Sequence, residues 1–163
     1  MDFTIREARK EDMGGVMALI HELASFEKEP NAVEVTEEDL IRDGFGERKQ
    51  FHCFVAEKEN QVVGIALIYP RYSTWKGPVV HLEDLIVAQE MRGSGLGSAL
   101  LNEVVKYGHS LGVKRISWEV LDWNEPAIAF YEKKGAKVMR DWDVVQLNQS
   151  AIEKYMEDLA VSS

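Results

Sequence analysis

A glycine-rich run, Arg92-Gly93-Ser94-Gly95-Leu96-Gly97, stands between an apolar segment, Leu85-Ile86-Val87, and an amphipathic stretch that predicts a helix from near Ser98. Glycines allow a tight turn and close approach of backbone to ligand, and a helix start aims unpaired N–H groups and its positive dipole end at the same place. That chemistry suits a phosphate or pyrophosphate. A turn that only needs small residues would look similar, but three alternate glycines behind an arginine favour an anion cradle. Upstream, Glu83-Asp84 interrupts the otherwise apolar run from Val79 to Val87. A carboxylate there can attract a cation and accept its proton. Strand alternation predicts Glu83 and Asp84 on opposite faces of a sheet unless a bulge intervenes. His21, His52, His81 and His109 are scattered and never fall into a metal-ligand spacing with Cys53, so no metal is expected. No arrangement of serine, cysteine and histidine suggests an acyl-enzyme.

The elements that must position these groups can be read from periodicity. Thr4 to Glu7 predicts a first strand, and Met13, Val16, Met17, Ile20, Leu23 and Ala24 recur at helical spacing behind a candidate Asp12 cap. A loop broken by Pro30 and Asn31 leads to a short helix over Thr36 to Asp43, with Thr36 and Asp39 placed as a capping box and Gly44-Phe45-Gly46 ending it. Phe51 to Glu57 and Gln61 to Tyr69 read as a hairpin about Lys58-Glu59-Asn60, stopped by Pro70. After a loop over Ser73 to Pro78 come the strand Val79 to Val87, the glycine loop, and a helix carrying Leu96, Leu100, Val104 and Leu111. Arg115 to Leu121 predicts a strand, and Asn124-Glu125-Pro126 a helix start running to Gly135. Val138 to Leu147 predicts one or two final strands, and Asn148 caps a last helix bearing Ile152, Tyr155, Met156 and Leu159. The order β-α-α-β-β-β-α-β-α-β-(β)-α indicates an α/β fold, a mixed sheet flanked by helices.

At 163 residues, without repeats, low-complexity tracts or a linker, one domain over residues 1–163 is expected. Nineteen Lys and Arg against 28 Asp and Glu give a net charge of -9, which disfavours nucleic acid and anionic membrane as partners and favours cations. A lone Cys53 and the lack of a leader-like start or a membrane-length apolar stretch lead to the expectation of a soluble, cytoplasmic protein. Gly93-x-Gly95 is a near miss to the dinucleotide fingerprint, but it lies mid-chain behind several strands with no second βαβαβ half, and no Walker Gly-Lys-Ser/Thr follows.

Taken together, Glu83-Asp84, the Arg92 to Gly97 loop, Asp122-Trp123-Asn124, Asn124-Glu125-Pro126, Phe130-Tyr131 and Gly135-Ala136 resemble the GNAT superfamily of N-acetyltransferases. Within it the chain is most similar to the diamine (spermidine/spermine) and thialysine acetyltransferases, a likeness that extends to Glu22-Leu23-Ala24, Phe26-Glu27 and Asp43-Gly44-Phe45-Gly46. The resemblance implies a mixed, mostly antiparallel sheet and acetyl-CoA as acetyl donor. Its pyrophosphate would be held by Arg92, Gly93, Ser94, Gly95, Leu96 and Gly97, and its pantetheine arm and acetyl group by the main chain along Leu85, Ile86 and Val87. Asn124, with Glu125, Pro126 and Ala127, and Lys134 in place of a more usual arginine, would complete the cofactor contacts. Asn124 reads equally well as a helix cap. Phe26, Glu27 and Glu83 would line the site of a small cationic amine, and a homodimer is the implied assembly.

The chemistry sets what the site must supply. An alkylammonium of pKa ~10.4 must become neutral to attack a thioester, which costs roughly 4 to 5 kcal/mol at pH 7. By the resemblance, Glu83 accepts that proton and Tyr131 protonates the departing sulfur, in a direct attack within a ternary complex. A non-catalytic acyl-CoA sensor on the same fold is the alternative, since fold alone does not establish turnover.

Overall fold

The computed structural model describes residues 2–162 and divides into two compact units, Met1–Glu119 and Val120–Ser163. The first unit holds a five-stranded sheet of order β1-β2-β3-β4-β5. Its strands are β1 (Thr4–Glu7), β2 (His52–Lys58), β3 (Gln61–Ser73), β4 (Gly77–Val87) and β5 (Ile116–Ser117). Successive pairs are antiparallel through β4, and β5 lies parallel to β4. The helices are α1 (Met13–Phe26), α2 (Glu37–Phe45) and α3 (Leu96–Leu111). Met13 and Val16 of α1, Val55, Ile65 and Leu82 of the sheet, and Leu100 and Val104 of α3 are almost wholly buried. The apolar stripes predicted for α1 and α3 thus supply much of the core, although Leu111 at the end of α3 is exposed and Leu19, outside the predicted stripe, is buried.

Several boundaries depart from expectation for identifiable reasons. Asp12 does not cap α1 with its side chain. Its carboxylate instead accepts the Arg9 N–H at 2.7 Å and pairs with Arg6 at 2.7 Å, closing the short 3-10 turn Lys10–Asp12 in front of the helix. Thr36 and Asp39 form the capping box, but α2 continues through Gly44 and Phe45 and is capped only by Gly46. The ring of Phe51 packs where a side chain at Gly44 would stand, so that glycine serves packing and not termination. Pro70 does not end β3, which runs on to Ser73. Pairing with β2 stops at His52 and Ile68, so beyond that point β3 is an edge strand and tolerates a residue without an N–H. The strand predicted from Arg115 shrinks to Ile116–Ser117, because β5 stays beside β4 only opposite Val80 and His81. The helix after the glycine loop starts at Leu96, a half turn earlier than Ser98, with Gly95 as its N-cap.

The second unit consists of α4 (Glu125–Lys133), α5 (Gln149–Ser162) and the chain between them. Asn124 caps α4 and Pro126 occupies its first turn, as predicted. The final strands expected over Val138 to Leu147 do not form. The β-rich composition is there, but a strand exists only when a neighbour takes its hydrogen bonds, and the described residues offer none. Trp142, Val144, Val145 and Leu147 are left exposed, as are Ile152, Tyr155, Met156 and Leu159 of α5.

Candidate active site

The glycine loop has the backbone its composition requires. Gly93 and Gly95 sit at φ 78° and 86°, left-handed backbone that glycine adopts without strain, and an added Cβ at either would meet nothing within 4 Å. Met91 and Leu96, 2% and 1% exposed, pin the loop into the core at both ends. Ser94 turns inward, its hydroxyl donating to the Met91 carbonyl at 2.5 Å and accepting from the Leu96 N–H at 3.4 Å. The helical ladder begins only with Ala99 N–H donating to the Gly95 carbonyl at 3.0 Å. The Gly97 and Ser98 N–H groups therefore precede the first intrahelical donor and point out of the helix end. These residues fit a pyrophosphate: a left-handed glycine backbone, a helix N-terminus and the exposed Arg92 converge on one opening.

The end of α1 braces the loop. Glu22 accepts the Gln89 N–H at 3.1 Å, and the Arg92 guanidinium lies 5.1 Å from the centroid of the Phe26 ring. Phe26, expected on the acceptor side, thus also touches the arginine of the donor side.

Between the loop and the sheet, β4 presents a free edge. Ala88 N–H donates to the Val63 carbonyl at 2.8 Å, toward β3. By alternation, the N–H and C=O groups of Leu85 and Val87 point the other way, while those of Ile86 point to β3. On that outer side β5 pairs only with Val80 and His81 and then diverges. Main-chain donors and acceptors at Leu85 and Val87 are therefore available to an extended ligand adding itself as a strand. Ile86 is 4% exposed and contributes its side chain to the core.

The acidic pair is shaped by a β-bulge. Leu67 of β3 pairs with Asp84 and Ile68 with Leu82, which leaves Glu83 as the extra residue. Leu67 and Tyr69, two apart, share a face, so their partners Asp84 and His81 share it too. Glu83 joins them, because the Tyr69 hydroxyl donates to its Oε1 at 2.9 Å and His81 Nε2 lies 3.9 Å from the same oxygen. The expectation that Glu83 and Asp84 face opposite ways is thus corrected: the bulge turns both to the side on which α1 ends. Burial first, then the charges of Glu83 and Glu27, push the Asp84 carboxyl up to about 6. Burial likewise raises the Glu27 carboxyl, and burial together with the bond to Glu83 pushes the Tyr69 phenol up to about 12. Three carboxylates, Glu27, Glu83 and Asp84, thereby share one patch of the first unit, a setting that attracts a cation.

Tyr69, Arg71 and His81 were not singled out as site residues from the sequence. Tyr69 read as a strand end and His81 as one of four scattered histidines; only cross-strand register reveals them. Cys53 is buried and its thiol is pushed up to about 12, mainly by burial, which makes it a poor nucleophile.

In the second unit, Asn124 Oδ1 accepts the Ala127 N–H at 3.3 Å, so its side chain acts as a helix cap. Glu125 and Pro126 are exposed in the first turn and Ala127 is half-buried. Tyr131 is half-buried and meets the Phe130 ring edge-on at 5.4 Å. Lys134 is exposed at the C-cap, its Nζ 5.8 Å from the Phe130 ring centroid.

An anion cradle opening beside a free strand edge, with carboxylates on the same strand, is an arrangement suited to acyl transfer. The model of the acetyltransferase (GNAT) family matches residues 17–136, and the chain belongs to that family. It is 44% identical over 141 residues to the thialysine N-epsilon-acetyltransferase of Mus musculus, covering 82% of this chain and 83% of that one. It is 32% identical over 160 residues to the spermidine/spermine N(1)-acetyltransferase-like protein 1 of Homo sapiens, covering 92% of this chain and 23% of the longer protein. Among solved structures, an integron cassette protein from the mobile metagenome of V. cholerae superposes with a TM-score of 0.79 at 21% identity, covering 96% of this chain and 99% of that one. The chain is an N-acetyltransferase that moves acetyl to an amine; members of its family take that acetyl from acetyl-CoA.

Proposed function

We propose that this enzyme acetylates the primary amine of a small cationic acceptor, lysine-like or polyamine, by direct attack in a ternary complex with acetyl-CoA. The observation that carries the reading is the bulge at Glu83, which brings its carboxylate to the strand whose outer edge lies open at Leu85 and Val87. Bound acetyl-CoA supplies an activated acetyl thioester. Arg92, Gly93, Ser94, Gly95, Leu96 and Gly97 hold the pyrophosphate, and the main chain of Leu85 and Val87 aligns the arm that carries the acetyl group. Glu27 and Asp84 draw the acceptor cation in, beside Phe26. Glu83 accepts the amine proton, directly or through a water, with Tyr69 holding its carboxylate in place. Tyr131 donates its phenolic proton to the departing sulfur and regains one from solvent; no covalent acyl-enzyme forms. Asn124, Glu125, Pro126, Ala127 and Lys134 complete the cofactor contacts. Residues 1–163 act as one catalytic domain, and the enzyme acts as a cytoplasmic homodimer.

The test follows CoA-thiol release from acetyl-CoA across polyamines, lysine analogues, aminoglycosides and peptide N-termini. Glu83→Gln is expected to lower turnover by about 10²- to 10⁴-fold, the usual range for a general base. Tyr131→Phe is expected to lower turnover strongly while CoA affinity, read by calorimetry, stays within about twofold. Tight acetyl-CoA binding with no amine acetylated would instead make the protein an acyl-CoA sensor.

A further inference from the structure

We infer that Arg71 determines acceptor specificity by holding a carboxylate, so that the preferred acceptor is a lysine-like amino acid and not a diamine. The inference rests on the transferase reading above and extends it to the far end of the acceptor. Arg71 lies on β3 opposite Val79, on the same face as Tyr69 and Leu67, and so in line with His81, Glu83 and Asp84 along β4. Its Nη1 donates toward Nδ1 of His81 at 3.4 Å. That ring is 6% exposed, and its Nδ1 also receives the Ser117 hydroxyl at 3.0 Å. Two donors at Nδ1 make it the acceptor of the imidazole, which leaves the proton on Nε2, the nitrogen 3.9 Å from Glu83. A neutral, buried ring therefore spaces a guanidinium from the carboxylate that takes the amine proton; burial, the largest influence, lowers the His81 pKa and keeps it neutral.

Geometry and charge then select the ligand. The contacts of 3.4 and 3.9 Å, joined through the His81 ring, put Arg71 Nη1 and Glu83 Oε1 at most roughly 10 Å apart. In an extended lysine-like acceptor, six bonds separate the distal nitrogen from the carboxylate carbon, roughly 7 to 8 Å, which lies alongside that separation. The Arg71 side chain is exposed, and no carboxylate of the described residues stands within ion-pair distance of it. Most of its five N–H donors remain for a ligand, in the planar fork that suits a carboxylate. A diamine entering with its first amine at Glu83 would bring its second ammonium toward this guanidinium, a like-charge approach that selects against it.

Matched acceptors test this: L-lysine against cadaverine, and L-thialysine against bis(2-aminoethyl) sulfide, each pair differing only by the carboxylate. Expected kcat/KM favours the carboxylated member by about ten- to a hundred-fold, the range of a charge-assisted hydrogen bond. Arg71→Met brings the ratio to unity or below through the KM of the amino acids, and Arg71→Lys restores part of it. Ratios that are the same in wild type and Arg71→Met overturn the inference. Calorimetric binding of the same pairs in the presence of CoA reads the contrast without turnover. If no amine is acetylated yet amino-acid binding still depends on Arg71, the transferase reading fails and the carboxylate site stands; if binding is independent of Arg71, the carboxylate site fails whatever the turnover.

Discussion

At the scale of single residues, Asp84 carries the tension of the site. It is more deeply set than Glu83, and its carboxyl is pushed up to about 6 from 3.8, chiefly by burial. Folding thus tightens its hold on a proton. Between about pH 4 and pH 6 the folded state gains from acid at this group, and above pH 6 the ionised carboxylate is a standing destabilisation. Asp84→Asn is therefore expected to stabilise the protein at pH 7, by about 1 to 3 kcal/mol at most, with the gain fading toward pH 4. Denaturant melts at pH 7 and pH 4 check it; a gain that is equal at both, or a loss at pH 7, would remove the burial argument. Glu83 is different in kind. It is half-exposed and held by Tyr69, so it keeps access to solvent and, in the proposed role, to the amine proton.

At the scale of elements, the turn from β4 into α3 shapes the proposed donor cradle. Gly95 is left-handed at φ 86° and caps α3. Gly95→Ala meets no neighbouring atom, so its cost is backbone strain alone, about 1 to 2 kcal/mol, or about 2 to 8 °C in Tm. Because the same φ shapes the cradle, CoA affinity is expected to fall about tenfold or more; unchanged affinity would detach this loop from the pyrophosphate. Much of this level was legible in advance. Thr36 and Asp39 show their capping box, Asn124-Glu125-Pro126 its helix start, and Gly93 and Gly95 their left-handed turn into α3, because caps and tight turns are local chemistry with fixed residue preferences. The bulge at Glu83 was not legible, since an extra residue in a strand leaves no mark in composition and shows only in register with β3. For the same reason Tyr69, Arg71 and His81 stayed hidden as a group: they are neighbours across two strands and not along one. The strands expected within 138–147 failed for a third reason, that periodicity describes a segment and says nothing of a partner.

At the scale of the whole molecule, that segment points outward. Trp142 and Val145, 66% and 92% exposed, precede an α5 whose apolar side chains are also solvent-facing. A second copy of this chain is the occupant that the homodimer proposal requires, and strand-forming residues without a strand partner among the described residues are what it would take up. Light scattering after gel filtration is expected to give twice the mass of one chain, and Val145→Asp to shift it toward one; a monomeric wild type would end the proposal. The acidic balance of -9 suits a site that gathers cations, and within it Arg71 is a positive mark at one end. The divergence of β5 from β4 after Ser117 reaches beyond catalysis. An open edge of backbone adheres to any extended chain, including another half-unfolded molecule of the same kind. In the proposed docking along that edge the donor would also be its guard, and the supply of donor would govern shelf life: each tenfold excess over Kd adds about 1.4 kcal/mol against unfolding. The protein would then be most prone to clump when its donor is scarcest.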